Sequence, residues 1–112
     1  MTLQEWVAKY EAKAEVFEFP DDGEMFFSPD EGFLCYRVID DALYLDHCSV
    51  RSAGWLNEKA KEIGRERGCR YLVTFTLRSP VAFAKLFHAH LLPEESKTLA
   101  NGKWYWAFEE LI

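Results

Sequence analysis

Three consecutive stretches decide the fold: Leu43–Val50 (LYLDHCSV), Arg51–Gly54 (RSAG) and Arg70–Leu77 (RYLVTFTL). The first and third are rich in branched and aromatic residues and read as strands; the second is a short loop opening a helix that closes near Gly68. Strand, helix and strand in that order form a crossover unit. It sets a helix N-terminus beside a strand end, where backbone amides without an intrahelical partner can hold an anion.

Upstream, Phe33–Ile39 and Ala42–Val50 meet at Asp40-Asp41 and predict an antiparallel hairpin. Pro20–Gly32 holds two prolines and two glycines around Met25-Phe26-Phe27, a short strand between loops. The chain opens with a capping box, Thr2-Leu3-Gln4-Glu5. Leu3, Trp6, Val7, Tyr10 and Ala14 follow at helical spacing and predict an amphipathic helix whose stripe is core.

Downstream, Trp55, Leu56, Lys59, Ala60 and Ile63 mark one helix face, and the near-continuous apolarity of Tyr71–Leu77 marks a central strand. Ser79-Pro80 reads as the start of a third helix, with Phe83, Leu86, Phe87, His90 and Leu91 as its stripe until Pro93. Asn101-Gly102 predicts a hairpin between Lys97–Ala100 and Lys103–Phe108. Trp104, Trp106 and Phe108 share one strand face, as core or as the surface of a homodimer.

The chain has 112 residues, 49% of them hydrophobic and 16% aromatic, enough for one core. One domain spanning residues 1–112 is expected. The longest apolar runs fall far short of the roughly 20 residues that cross a bilayer, and the N-terminus lacks a signal core, so a cytoplasmic protein without membrane association is expected. Cys35, Cys48 and Cys69 are odd in number and lie in apolar segments, which argues for reduced, packed thiols.

The net charge of −6 is unevenly spread: residues 1–50 carry −9, residues 51–92 carry +5 and residues 93–112 carry −2. Positive potential therefore belongs to the crossover, where an anion with phosphates would be attracted. The acidic remainder, with no basic-aromatic motif, argues against nucleic acid. His88 and His90, two apart on a helix, face different ways and do not form a metal pair, so no metal is expected.

The order helix, short strand, hairpin, helix, strand, helix, hairpin resembles the GNAT N-acetyltransferase fold in compact form, over about residues 24–110. The resemblance implies an α+β (α/β) fold, with a mostly antiparallel mixed sheet, a central crossover and three flanking helices. It implies acetyl-CoA as donor, Cys48, Ser49 and Val50 at the acyl end, and a pyrophosphate loop in the pattern Q/R-x-x-G-x-G/A. Arg51, Ser52, Ala53 and Gly54 occupy that loop, and Leu56 stands where the pattern has Gly or Ala. The family's leaving-group acid is a tyrosine on the last helix, in a pattern N-x-x-A-x-x-L-Y; Phe87 occupies its position.

An amine must lose a proton to attack a thioester, and Asp46 and His47 lie on the strand that presents the family's base. Strand alternation sends their side chains to opposite faces, and His47 has the better intrinsic pKa. The acidic first half favours a cationic acceptor, an amine such as a polyamine or a protein lysine. Two functions follow: an acyl-CoA-dependent N-acyltransferase, or a GNAT-like fold that has lost catalysis and serves as a binding or structural protein of a kind seen in bacterial and phage-derived sequences.

Overall fold

In the computed structural model, which describes residues 1–76, 81, 87, 89–98 and 102–112, the central feature is a seven-stranded sheet. Its strands are β1 (Glu24–Ser28), β2 (Gly32–Ile39), β3 (Ala42–Val50), β4 (Tyr71–Thr76), β5 (His90–Leu91), β6 (Lys97–Thr98) and β7 (Trp104–Leu111). The spatial order is β1-β2-β3-β4-β7-β5, with β6 also paired to β7. All pairings are antiparallel except β3 with β4, which the crossover helix α2 (Ala53–Glu66) joins in parallel.

The opening helix α1 (Leu3–Lys13) forms where its capping box predicts: the Thr2 hydroxyl accepts from Glu5 N, and Glu5 accepts from Thr2 N. It packs on one sheet face through Trp6 and Tyr10, against Phe33 and Tyr105. Helix α2 covers the other face, with Ala60 and Ile63 against Leu34, Leu43, Leu45 and Leu72. The chain leaves α2 through Gly68 at φ +73°, the left-handed conformation that glycine adopts without strain.

Buried Glu110 ties α2 to the sheet centre. Asn57 Nδ2 donates to its Oε2 at 2.6 Å, and Lys61 Nζ lies 3.1 Å from Oε1 as an ion contact rather than an aligned hydrogen bond. This buried polar link fixes how α2 sits over β7.

The described residues hold two complete α-helices and a 3₁₀ turn (Pro93–Glu95), and Val81 and Phe87 are helical as well. The predicted helix opening at Ser79-Pro80, with Phe83, Leu86 and His88, falls on residues 77–80, 82–86 and 88, outside the described residues. Its predicted end is a strand: His90 and Leu91 pair with Glu109 and Phe108 of β7 and are exposed, because β7 offers a free edge there. The turn expected at Asn101 also lies outside the described residues; β6 and β7 pair antiparallel on either side of it, with Lys97 opposite Tyr105 and Thr98 opposite Trp104, one residue out of the register that a two-residue Asn101-Gly102 turn would set.

Candidate functional site

Strands β3 and β4 begin together and then part. Their register runs from Ala42↔Tyr71 to Leu45↔Thr74, after which β3 continues to Val50 with no partner on β4. A bulge opens the strand at that point. Cys35 of β2 faces His47, but Tyr36 faces Leu45, so Asp46 is the extra residue. Gly32 holds the far end of β3 close: at φ +124°, a Cβ there would lie 2.1 Å from the Ser49 carbonyl oxygen.

The parting leaves a cavity on each sheet face. On the α2 side, a cavity of about 190 Å³ is walled by Leu45, Cys48, Val50, Arg51, Ala53 and Leu56, with Phe75, Thr76 and Phe87 across it. On the α1 side, Cys48, Val50, Arg51, Phe75 and Thr76 recur, joined by Tyr10, Tyr105, Lys9 and Lys13. The five shared residues set the two cavities back to back across the parted strands, as the two mouths of the opening between β3 and β4. Burial pushes the Cys48 thiol up to about 12, which keeps it protonated and unreactive.

Ser52 caps α2, its hydroxyl accepting from Trp55 N at 3.3 Å. The predicted four-residue loop is therefore shorter: only Arg51 and Ser52 lie between strand and helix, while Ala53 and Gly54 belong to the first helical turn. Ser and Thr side chains compete for first-turn amides, and here that competition starts the helix early. The amides of Ala53 and Gly54 still face out of the helix end, next to the exposed Arg51. This fits a diphosphate in chemistry, with fewer amides than a longer loop would offer.

The bulge corrects the expectation that Asp46 and His47 face opposite ways. Both line the same open cleft of about 900 Å³, with Glu11, Glu15, Glu18 and Asp21. An extra residue breaks strand alternation, so neighbours can share a face. Asp46 is held by Arg37 through two bonds, at 2.6 Å to Nε and 2.9 Å to Nη2, which raise the Arg37 pKa and engage both carboxylate oxygens.

His47 is enclosed. Its Nδ1 lies 2.6 Å from Tyr10 Oη and 3.6 Å from Glu15 Oε1. Burial lowers its pKa, opposed by the Glu15 and Asp46 carboxylates and reinforced by Lys97. Five acids of the first half, Glu11, Glu15, Glu18, Asp21 and Asp46, thus gather in the His47 cleft, whereas the α1-side mouth of the opening carries Lys9, Lys13 and Arg51.

Sequence reasoning did not assign Tyr10, Tyr105 or Arg37 to the site. Tyr10 was counted as core, yet a buried tyrosine hydroxyl needs a polar partner, and that requirement was the available signal.

Together these features define a class: an α+β protein with a splayed parallel strand pair, a bulged strand and a helix N-terminus at the opening. Solved acetyltransferases share its fold. An IAA acetyltransferase from Bacillus cereus ATCC 14579 superposes with a TM-score of 0.67 at 12% identity, over 100% of this chain and 96% of its own. An acetyltransferase from Bacillus subtilis in complex with CoA gives 0.65 at 12% identity, over 98% and 91%. A further B. cereus ATCC 14579 acetyltransferase gives 0.54 at 16% identity, over 98% and 89%. No protein-family model matches the sequence, and no curated protein does. The fold is that of the GNAT acetyltransferases. No helix among the described residues is long and apolar enough to cross a membrane.

Proposed function

We propose that this protein is an acyl-CoA-dependent N-acetyltransferase, working in the cytoplasm, where its three cysteines stay free thiols. The observation that carries this reading is the parting of β3 and β4 beyond Leu45↔Thr74, with an apolar cavity beside the α2 N-terminus on one face and a second cavity that shares five of its residues on the α1 face. Arg51 and the amides of Ala53 and Gly54 would hold the diphosphate of acetyl-CoA. Leu45, Cys48, Val50 and Leu56 would flank its pantetheine arm. The donor supplies an activated acyl group; the chain supplies position, exclusion of water and a destination for the amine's proton.

The acceptor would enter on the α1 face. Because Lys9, Lys13 and Arg51 line that mouth, an amine carrying an acidic group suits it better than a polycation. This replaces the polyamine expected from the acidic first half, five of whose carboxylates lie in the neighbouring cleft. The test is thiol release from acetyl-CoA with L-glutamate and with spermidine. The proposal expects release with L-glutamate to exceed that with spermidine; no release with either contradicts it.

A second reading, a binding protein of this fold without catalysis, is favoured by Phe87. It lines the α2-side cavity at the position of the family's tyrosine and has no proton to give. Acetyl-CoA binding without thiol release, with any amine, would support that reading.

A further inference from the structure

The hydroxyls of Tyr105 and Tyr10 form a chain that ends on His47. Tyr105 Oη donates to Tyr10 Oη at 3.4 Å, and Tyr10 Oη lies 2.6 Å from His47 Nδ1, nearer than its other acceptor, Glu15 Oε1 at 3.4 Å. The chain starts at the α1-side mouth of the opening, which both tyrosines line, and ends in the separate acidic cleft, which His47 lines. His47 itself does not line the opening's two cavities. His47 Nδ1 faces Tyr10 Oη rather than the opening, so an amine bound in the opening reaches it only through the tyrosines.

We propose that Tyr105 and Tyr10 carry the amine's proton from the opening to His47, so that His47 acts as a remote base through two hydroxyls. The inference rests on the acetyltransferase reading.

The bookkeeping closes. Before the ammonium nitrogen can bond to the acyl carbon, one of its protons passes to Tyr105 Oη, the Tyr105 proton passes to Tyr10, and the Tyr10 proton passes to Nδ1, which leaves the amine neutral. Both tyrosines end neutral and His47 ends as imidazolium, with Glu15 Oε1 at 3.6 Å to stabilise it and cleft water to take the proton onward. The neutral nitrogen then bonds to the acyl carbon, the carbon–sulfur bond breaks with its electron pair on sulfur, and the proton that the nitrogen sheds as the amide forms passes through water to the thiolate. The donor direction Tyr105→Tyr10→His47 is the one that moves a proton inward. Neither hydroxyl need ionise in a stable state, which matters because burial raises both tyrosine pKa values, that of Tyr105 to about 12.

The test compares wild type with Tyr105→Phe and Tyr10→Phe, using acetyl-CoA and two small nucleophiles that reach the opening whatever the natural acceptor. Ethylamine is protonated at neutral pH and must surrender a proton; hydroxylamine is already neutral. The relay predicts that each variant loses about 100-fold in thiol release with ethylamine and under about threefold with hydroxylamine. It also predicts that Tyr10→Phe moves the NMR titration of His47 upward, since the lost hydroxyl stabilised the neutral ring. Variants as fast as wild type with ethylamine, or an unmoved His47 titration, would overturn the relay and leave the acetyltransferase reading intact. Equal losses with both nucleophiles would make the tyrosines structural and likewise overturn it. A wild type that releases no thiol with either nucleophile would overturn both readings.

Discussion

Replacing Glu110 tests whether one buried carboxylate holds α2, and with it the helix N-terminus, in place. Glu110 is 3% exposed, takes a 2.6 Å bond from Asn57 and faces Lys61 at 3.1 Å. Breaking a buried ion pair by removing one partner costs about 3–5 kcal/mol. Lys61 keeps a quarter of its side chain in water and can turn outward, so Glu110→Ala belongs at the lower end, about 3 kcal/mol. Glu110→Gln keeps shape and an oxygen for Asn57 but loses the charge, for about 1–1.5 kcal/mol. For a domain of this size, 1 kcal/mol moves the midpoint by about 4–6 °C, so Gln should cost about 5 °C and Ala about 15 °C. Urea unfolding at pH 7 measures the free energies directly. A Glu110→Ala variant within about 0.5 kcal/mol of wild type, or a Gln variant as damaging as Ala, would refute the anchoring role.

Three further outcomes are expected. Gly54→Val should leave the midpoint unchanged or slightly raised, because an added Cβ meets only the Ser52 hydroxyl at 3.7 Å and valine outranks glycine in helices by a few tenths of a kcal/mol. Its affinity for CoA by calorimetry should fall at least about tenfold, since the side chain would crowd the outward-facing amides. The depressed pKa of His47 means the unfolded chain takes up a proton first as pH falls, so stability should be full above about 6.5 and decline as pH drops through the folded value. His47→Gln should flatten that decline in urea melts between pH 7 and 5. Thr2→Ala removes the hydroxyl that caps α1 and should cost about 1 kcal/mol by the same measurement.

Much of the fold was legible because it rests on local signals. The Thr2–Glu5 box, the Asp40-Asp41 turn and the apolar β4 each specify their element without distant help, and Asp40 adopts the positive φ, 55°, that a tight turn asks for. The site was less legible. Strand periodicity separated Asp46 from His47, but the bulge set by β2 pairing brought them together, and a pairing irregularity leaves no mark in one strand's own sequence. Charge counting sent the acids of residues 1–50 to the acceptor, whereas folding placed five of them beside His47 and left lysines at the opening. The tyrosine chain joins residues 95 apart, a contact that no local pattern encodes.

The central claim is that the opening between β3 and β4, with the α2 N-terminus, holds the donor. Thermal unfolding of the wild-type protein with and without excess CoA tests it most directly. A ligand at about 100 times its dissociation constant adds about 2.7 kcal/mol, which should raise the midpoint by about 13 °C. A rise of that order, lost in Gly54→Val, is the predicted result. An unchanged midpoint at millimolar CoA would contradict the account.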